Sequence, residues 1–367
     1  MLSNVWLRVL WMAVLIAALG IPPDALSVLA QQTGPQAPPP AQAPAAPKAP
    51  TGQSQPQQAP QQAAPAPGAI TVESTLVNVD AVVTDNDGNI LTGLTRANFR
   101  ILDEGQPQQI ANFGPSEAPI TIVILMEFSR LWYGYFGAKA KDWAYGFLNH
   151  LGPKDWVALK TFDLKTTLQV DFTQDKREIG DSISSLFFPD FSEANLFDAV
   201  LETLDQLRDV QGKKSILVLA TGFDTFSHHT LDQTLKRVKE TEIPIFCVGM
   251  GEEIDLSSTT GPGIGYLQAK NQLSTFANMT GGYAWFPRFE GEMPDIFNSV
   301  AAFLRNQYTI GFSPSAPPDG RYHKLKVEVV DDQGNPMMLS DKKGRKKKVI
   351  VYARQGYSAP LPSPVGN

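Results

Sequence analysis

The chain has 367 residues, 43% of them hydrophobic, with a formal net charge of -6 and one cysteine. The acidic balance excludes nucleic acid as the main partner, because phosphate binding needs a basic face, and a lone cysteine excludes an internal disulfide. The length accommodates two domains once an unstructured front is set aside.

Arg8 precedes an apolar run from Val9 to Ile21, shorter than the roughly 20 residues a spanning helix needs, and Ser27-Val28-Leu29-Ala30 suits a signal peptidase. Residues 1–30 therefore read as a secretory signal cut after Ala30, with an uncleaved anchor as the alternative. The expected location is the periplasm or the exterior, with a membrane attachment only if the signal stays. Residues 31–68 are almost entirely Gln, Pro, Ala, Gly, Ser and Thr, and Lys48 is their only charge. Such a segment buries too little apolar surface to offset ordering entropy, and its prolines hold it extended as a tether.

From 69 to 117 the pattern is β. Val77, Val79, Ala81 and Val83 alternate with other residues before the turn Thr84-Asp85-Asn86-Asp87-Gly88-Asn89, and a Thr95-capped turn of helix leads into two short strands. After Pro119 the period changes. Strand-like runs at 120–126, 156–162, 167–172, 215–220, 243–248 and 283–286 alternate with helical ones at 135–151, 176–186, 196–209, 231–240, 267–279 and 293–305. Ile120 to Met126 is charge-free and rich in β-branched residues, so it is predicted to be a central strand buried on both faces. In the helix from Leu196 a wide apolar face leaves Asp198, Glu202, Asp205 and Arg208 pointing elsewhere. Cys247 sits in the apolar run Ile243 to Val248 and reads as a core residue.

From Gln307 the chain returns to β, with the alternating strand Lys324 to Val330 and a second turn, Asp331-Asp332-Gln333-Gly334-Asn335, that echoes the first. Lys342-Lys343-Gly344-Arg345-Lys346-Lys347-Lys348 packs six cations into seven residues and reads as a solvated hairpin tip. The predicted fold is α/β: a doubly wound, mostly parallel sheet over 118–305, inserted in a small β-sandwich built from 69–117 and 306–358, with 359–367 as a tail.

Three stretches converge on one sheet edge, where open α/β sheets bind ligands. They are Glu127-Phe128-Ser129-Arg130 after the central strand, Asn195-Leu196-Phe197-Asp198-Ala199, and Ala220-Thr221-Gly222-Phe223-Asp224-Thr225. Together they resemble the von Willebrand factor type A domain, whose metal site combines an Asp-x-Ser-x-Ser turn, a Thr and a later Asp. Here Glu127 stands for the first Asp, Ser129 keeps its place, Leu131 replaces the second Ser, Ala194 aligns with the Thr and Thr221 with the last Asp. Over Thr71 to Ser358 the layout also resembles a group of exported bacterial proteins described as acidobacterial von Willebrand factor A-related. Its matching stretches include Leu91 to Phe99, Ala220 to Ser227, Tyr308 to Pro314 and Arg354 to Tyr357.

Two of five implied ligands remain, and Leu and Ala supply no oxygen to Mg²⁺. No cofactor is therefore expected, beyond weak Mg²⁺ or Mn²⁺ held by Glu127, Ser129 and Asp224. No Gly-x-Ser-x-Gly, His-Glu-x-x-His or phosphate-loop pattern occurs, and the adjacent His228 and His229 read as solvated loop residues, since neighbouring side chains diverge. The expected function is a non-enzymatic module that binds a protein or cell-envelope partner. Its face would comprise Glu127, Phe128, Ser129, Tyr133, Thr221 and Asp224, with Trp132, Tyr133 and Tyr135 adding aromatic area. The alternatives are a Mg²⁺- or Mn²⁺-dependent adhesion module and, with no residue constellation behind it, an envelope hydrolase.

Overall fold

All eight residues of β5 (Ile120–Glu127) are buried, which a strand achieves only when helices cover both faces of its sheet. Side-chain alternation sorts them. Ile120, Ile122, Ile124 and Met126 enter one core with Met293, Phe297 and Val300, while Val123 and Leu125 enter the opposite core with Leu196, Val200, Leu204 and Phe276.

The sheet runs β10 (Ala284–Trp285), β9 (Ile245–Gly249), β8 (Lys213–Ala220), β5, β6 (Trp156–Phe162) and β7 (Thr166–Thr173). Every pairing is parallel except that of the edge strand β7 with β6. Register sets Glu127 beside Phe162 and Met126 beside Leu219, so β5, β6 and β8 end at one edge. Helices Lys176–Ser185, Leu196–Leu207, Leu231–Glu240, Ile264–Thr280 and Met293–Arg305 fill the predicted places. Asp175 caps the first by accepting the Arg177 N–H, and Gly281, at φ 81°, ends the fourth in the left-handed conformation open to glycine. Cys247 is buried in β9, and burial pushes its thiol far above the ordinary range, as expected of a core residue.

The computed structural model describes residues 76–116, 118–130, 139, 142–143, 145–250, 263–340 and 343–361. The expected signal, the tether, and Leu131, Trp132, Tyr133 and Tyr135 lie outside them. Among the described residues no helix is long and apolar enough to cross a membrane.

Strands from both flanks of the α/β portion pair with one another. In one sheet β1 (Val77–Asp85) lies between β11 (Tyr308–Phe312) and β14 (Lys346–Ala353), with β4 (Ile110–Pro115) beyond β11 and β13 (Met338–Ser340) beyond β14. The other holds β2 (Phe99–Asp103), β3 (Gln106–Gln108), β12 (Tyr322–Val329) and β15 (Gly356–Ser358). Val79, Val83, Ile101, Ile310, Phe312 and Leu325 share a core between them. The two echoing turns are built alike. Asp85 accepts the N–H groups of Asp87 and Asn89 at 2.8 and 2.9 Å, and Asp331 accepts those of Gln333 and Asn335 at 3.0 and 2.9 Å. The basic run lies where β13 turns into β14, with Gly344 at φ 73°, and Lys347 pairs with Asp87.

The flanking sheets also grip the α/β portion. Val82 of β1 belongs to the core beneath β5, and the Tyr352 ring meets those of Tyr283 and Phe303 at 5.1 and 5.3 Å. Arg354, 6% exposed, donates to the Asn78 carbonyl and to Glu242, each at 2.7 Å. On β12, buried His323 lies between Asp103 (3.1 Å from Nδ1) and Asp319 (3.2 Å from Nε2). Tyr357 donates its hydroxyl to the same Asp103 at 3.0 Å.

Candidate functional site

Glu127 ends β5 with 1% of its surface exposed. Its Oε1 accepts the Ser129 hydroxyl at 2.5 Å, and its Oε2 accepts both the N–H and the hydroxyl of Thr221 at 2.7 Å. Thr221 follows the last residue of β8, so the acid bridges two adjacent strands. An aspartate would stop one methylene short; the glutamate's extra carbon carries the carboxyl to the neighbouring strand. Burial pushes the Glu127 carboxyl above the usual carboxylate range, and the Ser129 hydroxyl and the two Thr221 donors offset part of that rise.

Ser129 and Thr221 are as deeply buried as the acid, and Phe128 is half-buried. The structure thus brings together Glu127, Ser129 and Thr221, as a sealed hydrogen-bonded cluster. Both carboxyl oxygens are engaged by protein donors, and Ala194, where the resemblance puts a Thr, is buried and offers only a methyl. A hard divalent cation needs about six oxygens; among the described residues no group of three His, Cys, Asp or Glu side chains is placed to hold a metal.

Asp224 has a different task. Helix Leu196–Leu207 begins at Asn195, whose side chain makes no capping bond, so its first N–H groups need partners from elsewhere. Asp224 supplies one, accepting the Phe197 N–H at 3.1 Å, and the Ser227 hydroxyl supplies the next, accepting the Asp198 N–H at 3.1 Å. Ser227 in turn donates to Asp224 at 2.6 Å. Burial raises the Asp224 pKa against these hydrogen bonds, and the charge of Asp198 pushes the same way.

Asp198 faces away from the apolar cores, as the helical spacing implies, yet it is not solvated. It is buried because the chain after β8 folds back over the helix start. Its Oδ2 takes the His228 N–H at 2.8 Å and the His228 Nδ1 at 2.9 Å; its Oδ1 takes the His229 N–H at 3.1 Å and the His229 Nδ1 at 2.7 Å. Burial opposes the charge, but the His228 N–H, the two rings and the His229 N–H outweigh it and hold the carboxyl at about 2.

Around the sealed acid the surface is aromatic. The loop after helix Lys176–Ser185 carries Phe187, Phe188 and Phe191 at 73%, 80% and 42% exposure, and Phe226 is 51% exposed. Arg130, just past Ser129, fastens this loop to the edge: its N–H donates to the Phe191 carbonyl at 2.8 Å and its Nε to the Pro189 carbonyl at 3.3 Å. Phe226 is fixed by its own N–H on the Ala194 carbonyl at 3.1 Å. The sequence reading stopped its helix at Leu186 and passed over Phe187-Phe188-Pro189-Asp190-Phe191. The available signal was an apolar triplet with neither helical nor strand period, interrupted by proline. Tyr133, the other aromatic assigned to this face, lies outside the described residues.

Chemically the edge offers apolar area and fixed dipoles.

No family model and no curated protein matches the chain. Solved structures similar to it include BatB from Bacteroides thetaiotaomicron, at 15% identity and TM-score 0.39, covering 50% of this chain and 98% of that one. A von Willebrand factor type A structure from Catenulispora acidiphila is similar at 9% identity and TM-score 0.43, covering 70% and 72%. The von Willebrand factor domain of the type V pilus tip protein Mfa5 from Porphyromonas gingivalis is similar at 11% identity and TM-score 0.38, covering 50% and 94%. The last two bear the name of the domain that the three stretches at Glu127, Asn195 and Thr221 together resemble.

Proposed function

We propose that the chain is an exported, non-enzymatic module that binds a protein or cell-envelope partner through this strand-end edge, with metal binding at Glu127 weak or lost. We further infer that the flanking sheets are a β-sandwich frame into which the α/β portion is inserted. The observation that carries the binding reading is the set of exposed phenylalanines, Phe187, Phe188, Phe191 and Phe226, on loops tied to the edge beside a sealed acid. Exposed apolar surface of this kind is a thermodynamic liability unless something docks on it, and aromatic side chains dominate the energetics of docking. Glu127 serves as an internal brace that fixes the loops.

The test is capture from envelope extracts with the full chain, in chelator and without it. The expected result is retention of a specific partner in both conditions and its loss in a Phe187→Ser, Phe191→Ser double variant. Retention that depends on added Mg²⁺ or Mn²⁺ and disappears in Glu127→Gln would replace this reading with the cation-dependent one. Capture undiminished by the phenylalanine changes would remove the edge as the binding face.

A further inference from the structure

We propose that His228 and His229 form a ligand pair for a divalent first-row transition ion, Zn²⁺ or Cu²⁺, aimed outward by the buried Asp198 carboxylate. Each Asp198 oxygen lies within 2.9 Å of one imidazole Nδ1, and each also accepts the backbone N–H of that same histidine. An ionised carboxylate only accepts hydrogen bonds, so both rings carry their proton on Nδ1. In the neutral ring this leaves the lone pair on Nε2. Among the described residues neither Nε2 is engaged, and the rings are 88% and 52% exposed.

A carboxylate holding one nitrogen of an imidazole fixes its tautomer and raises the basicity of the other, which is the usual arrangement behind a metal-binding histidine. Both rings are anchored on one carboxylate, which sequence spacing does not imply, while they stay solvated as it does imply. The segment is rigid on both sides. Asp198 stands in the first turn of helix Leu196–Leu207, and Thr230, the residue after His229, caps helix Leu231–Glu240 with a reciprocal Gln233 bond at 2.8 Å. Both anchors are already formed without a ligand, so little ordering cost opposes binding.

Imidazole nitrogen selects zinc and copper over magnesium and calcium. Two nitrogens fill half of a tetrahedral shell, and no third His, Cys, Asp or Glu joins them among the described residues. The remaining positions are therefore open to water or to a donor on a docked molecule. The pair stands apart from the Glu127 cluster and does not rest on the proposed binding reading.

The experiment uses the full chain free of any polyhistidine tag, stripped with chelator and titrated calorimetrically with Zn²⁺, Cu²⁺ and, as control, Mg²⁺. Long-range nitrogen NMR of the imidazoles runs in parallel. The expected result is one-to-one uptake of Zn²⁺ or Cu²⁺ without Mg²⁺ heat, with Nε2 resonances of two rings moving while Nδ1 stays protonated. A His228→Gln, His229→Gln double variant should lose the uptake. Asp198→Asn, which keeps both rings but not their orientation, should weaken it roughly 10- to 100-fold. If that variant unfolds, the single exposed-ring variants carry the test, each lowering affinity at least about tenfold by halving the ligand set. No uptake at millimolar Zn²⁺ and Cu²⁺, or uptake unchanged in the double variant, overturns the proposal.

Discussion

Glu127 and Asp198 are two buried acids at the same edge of one sheet, and their environments drive them in opposite directions. Glu127 meets two hydroxyls and one N–H, and burial wins; Asp198 meets four N–H groups, and the charge wins. Depth and donors both differ: Glu127 is enclosed on all sides, whereas Asp198 lies beneath two exposed imidazole rings. The donors act in the same direction as depth, because backbone amides can only donate to a carboxylate, whereas a hydroxyl can rotate and accept a proton from the neutral acid.

The largest expected effect is from Asp198→Ala. It strands two backbone and two ring N–H groups at once, and unfolding by denaturant should show a loss of about 3 kcal/mol. Next is acid pH. Because the folded pKa of Asp198 is lowered from 3.8 to about 2, its contribution is present above 3.8 and is lost as pH falls through about 2. Allowing for solvent screening at this edge, that amounts to on the order of 1–2 kcal/mol, measured as the difference in stability between wild type and Asp198→Asn across that range. Equal slopes for the two proteins would break the comparison.

Thr221→Val sharpens the other side. It keeps the N–H but removes the hydroxyl from Oε2, with an expected cost of about 1 kcal/mol and a further rise in the Glu127 pKa, read by carboxyl NMR. The smallest effect is from Glu127→Gln. The amide can accept both Thr221 donors and give its own N–H to Ser129, so denaturation near pH 4 should shift by under about 1 kcal/mol. Since the folded pKa of Glu127 is raised from 4.5, its stabilising contribution holds below that value and is lost as pH rises through the folded one. The glutamine variant should lack this decline. A loss above about 3 kcal/mol, as for a removed buried charge, would show Glu127 to be ionised.

A control lies away from this edge. Burial lowers the His323 pKa, but the Asp319 and Asp103 hydrogen bonds and charges raise it overall. Its contribution is thus present below 6.5 and lost as pH rises through the folded value, and a His323→Gln variant should be flat across that window when thermal unfolding is followed.

The α/β core was legible because it is written in local periods. The β-branched run Ile120 to Met126 has no charge, and its alternate residues divide between two cores; helix Leu231–Glu240 lies where its apolar spacing put it. The echo of the Asp85 and Asp331 turns also survived into matching hydrogen bonds, since an Asx side chain and a following Gly act within five residues. The burial of Asp198 was illegible because the cover, Ser227 to His229, comes from a segment some thirty residues later, and helical periodicity carries no information about that. The partners of Asp224, the N–H of Phe197 and the hydroxyl of Ser227, were illegible for a related reason: they belong to a helix start whose own cap is silent. The reach of Glu127 depends on one methylene, which a motif alignment treats as a conservative change.

Pro115 of β4 and Tyr308 of β11 face one another across a strand pair. The chain therefore leaves and rejoins that sheet through a doorway about 5 Å wide, with the whole α/β portion hanging beyond it. Ends that close let the surrounding strands keep their register whatever the length of chain between them, so the contacts of Val82, Tyr352 and Arg354, and not the connection itself, hold the α/β portion against the sheets.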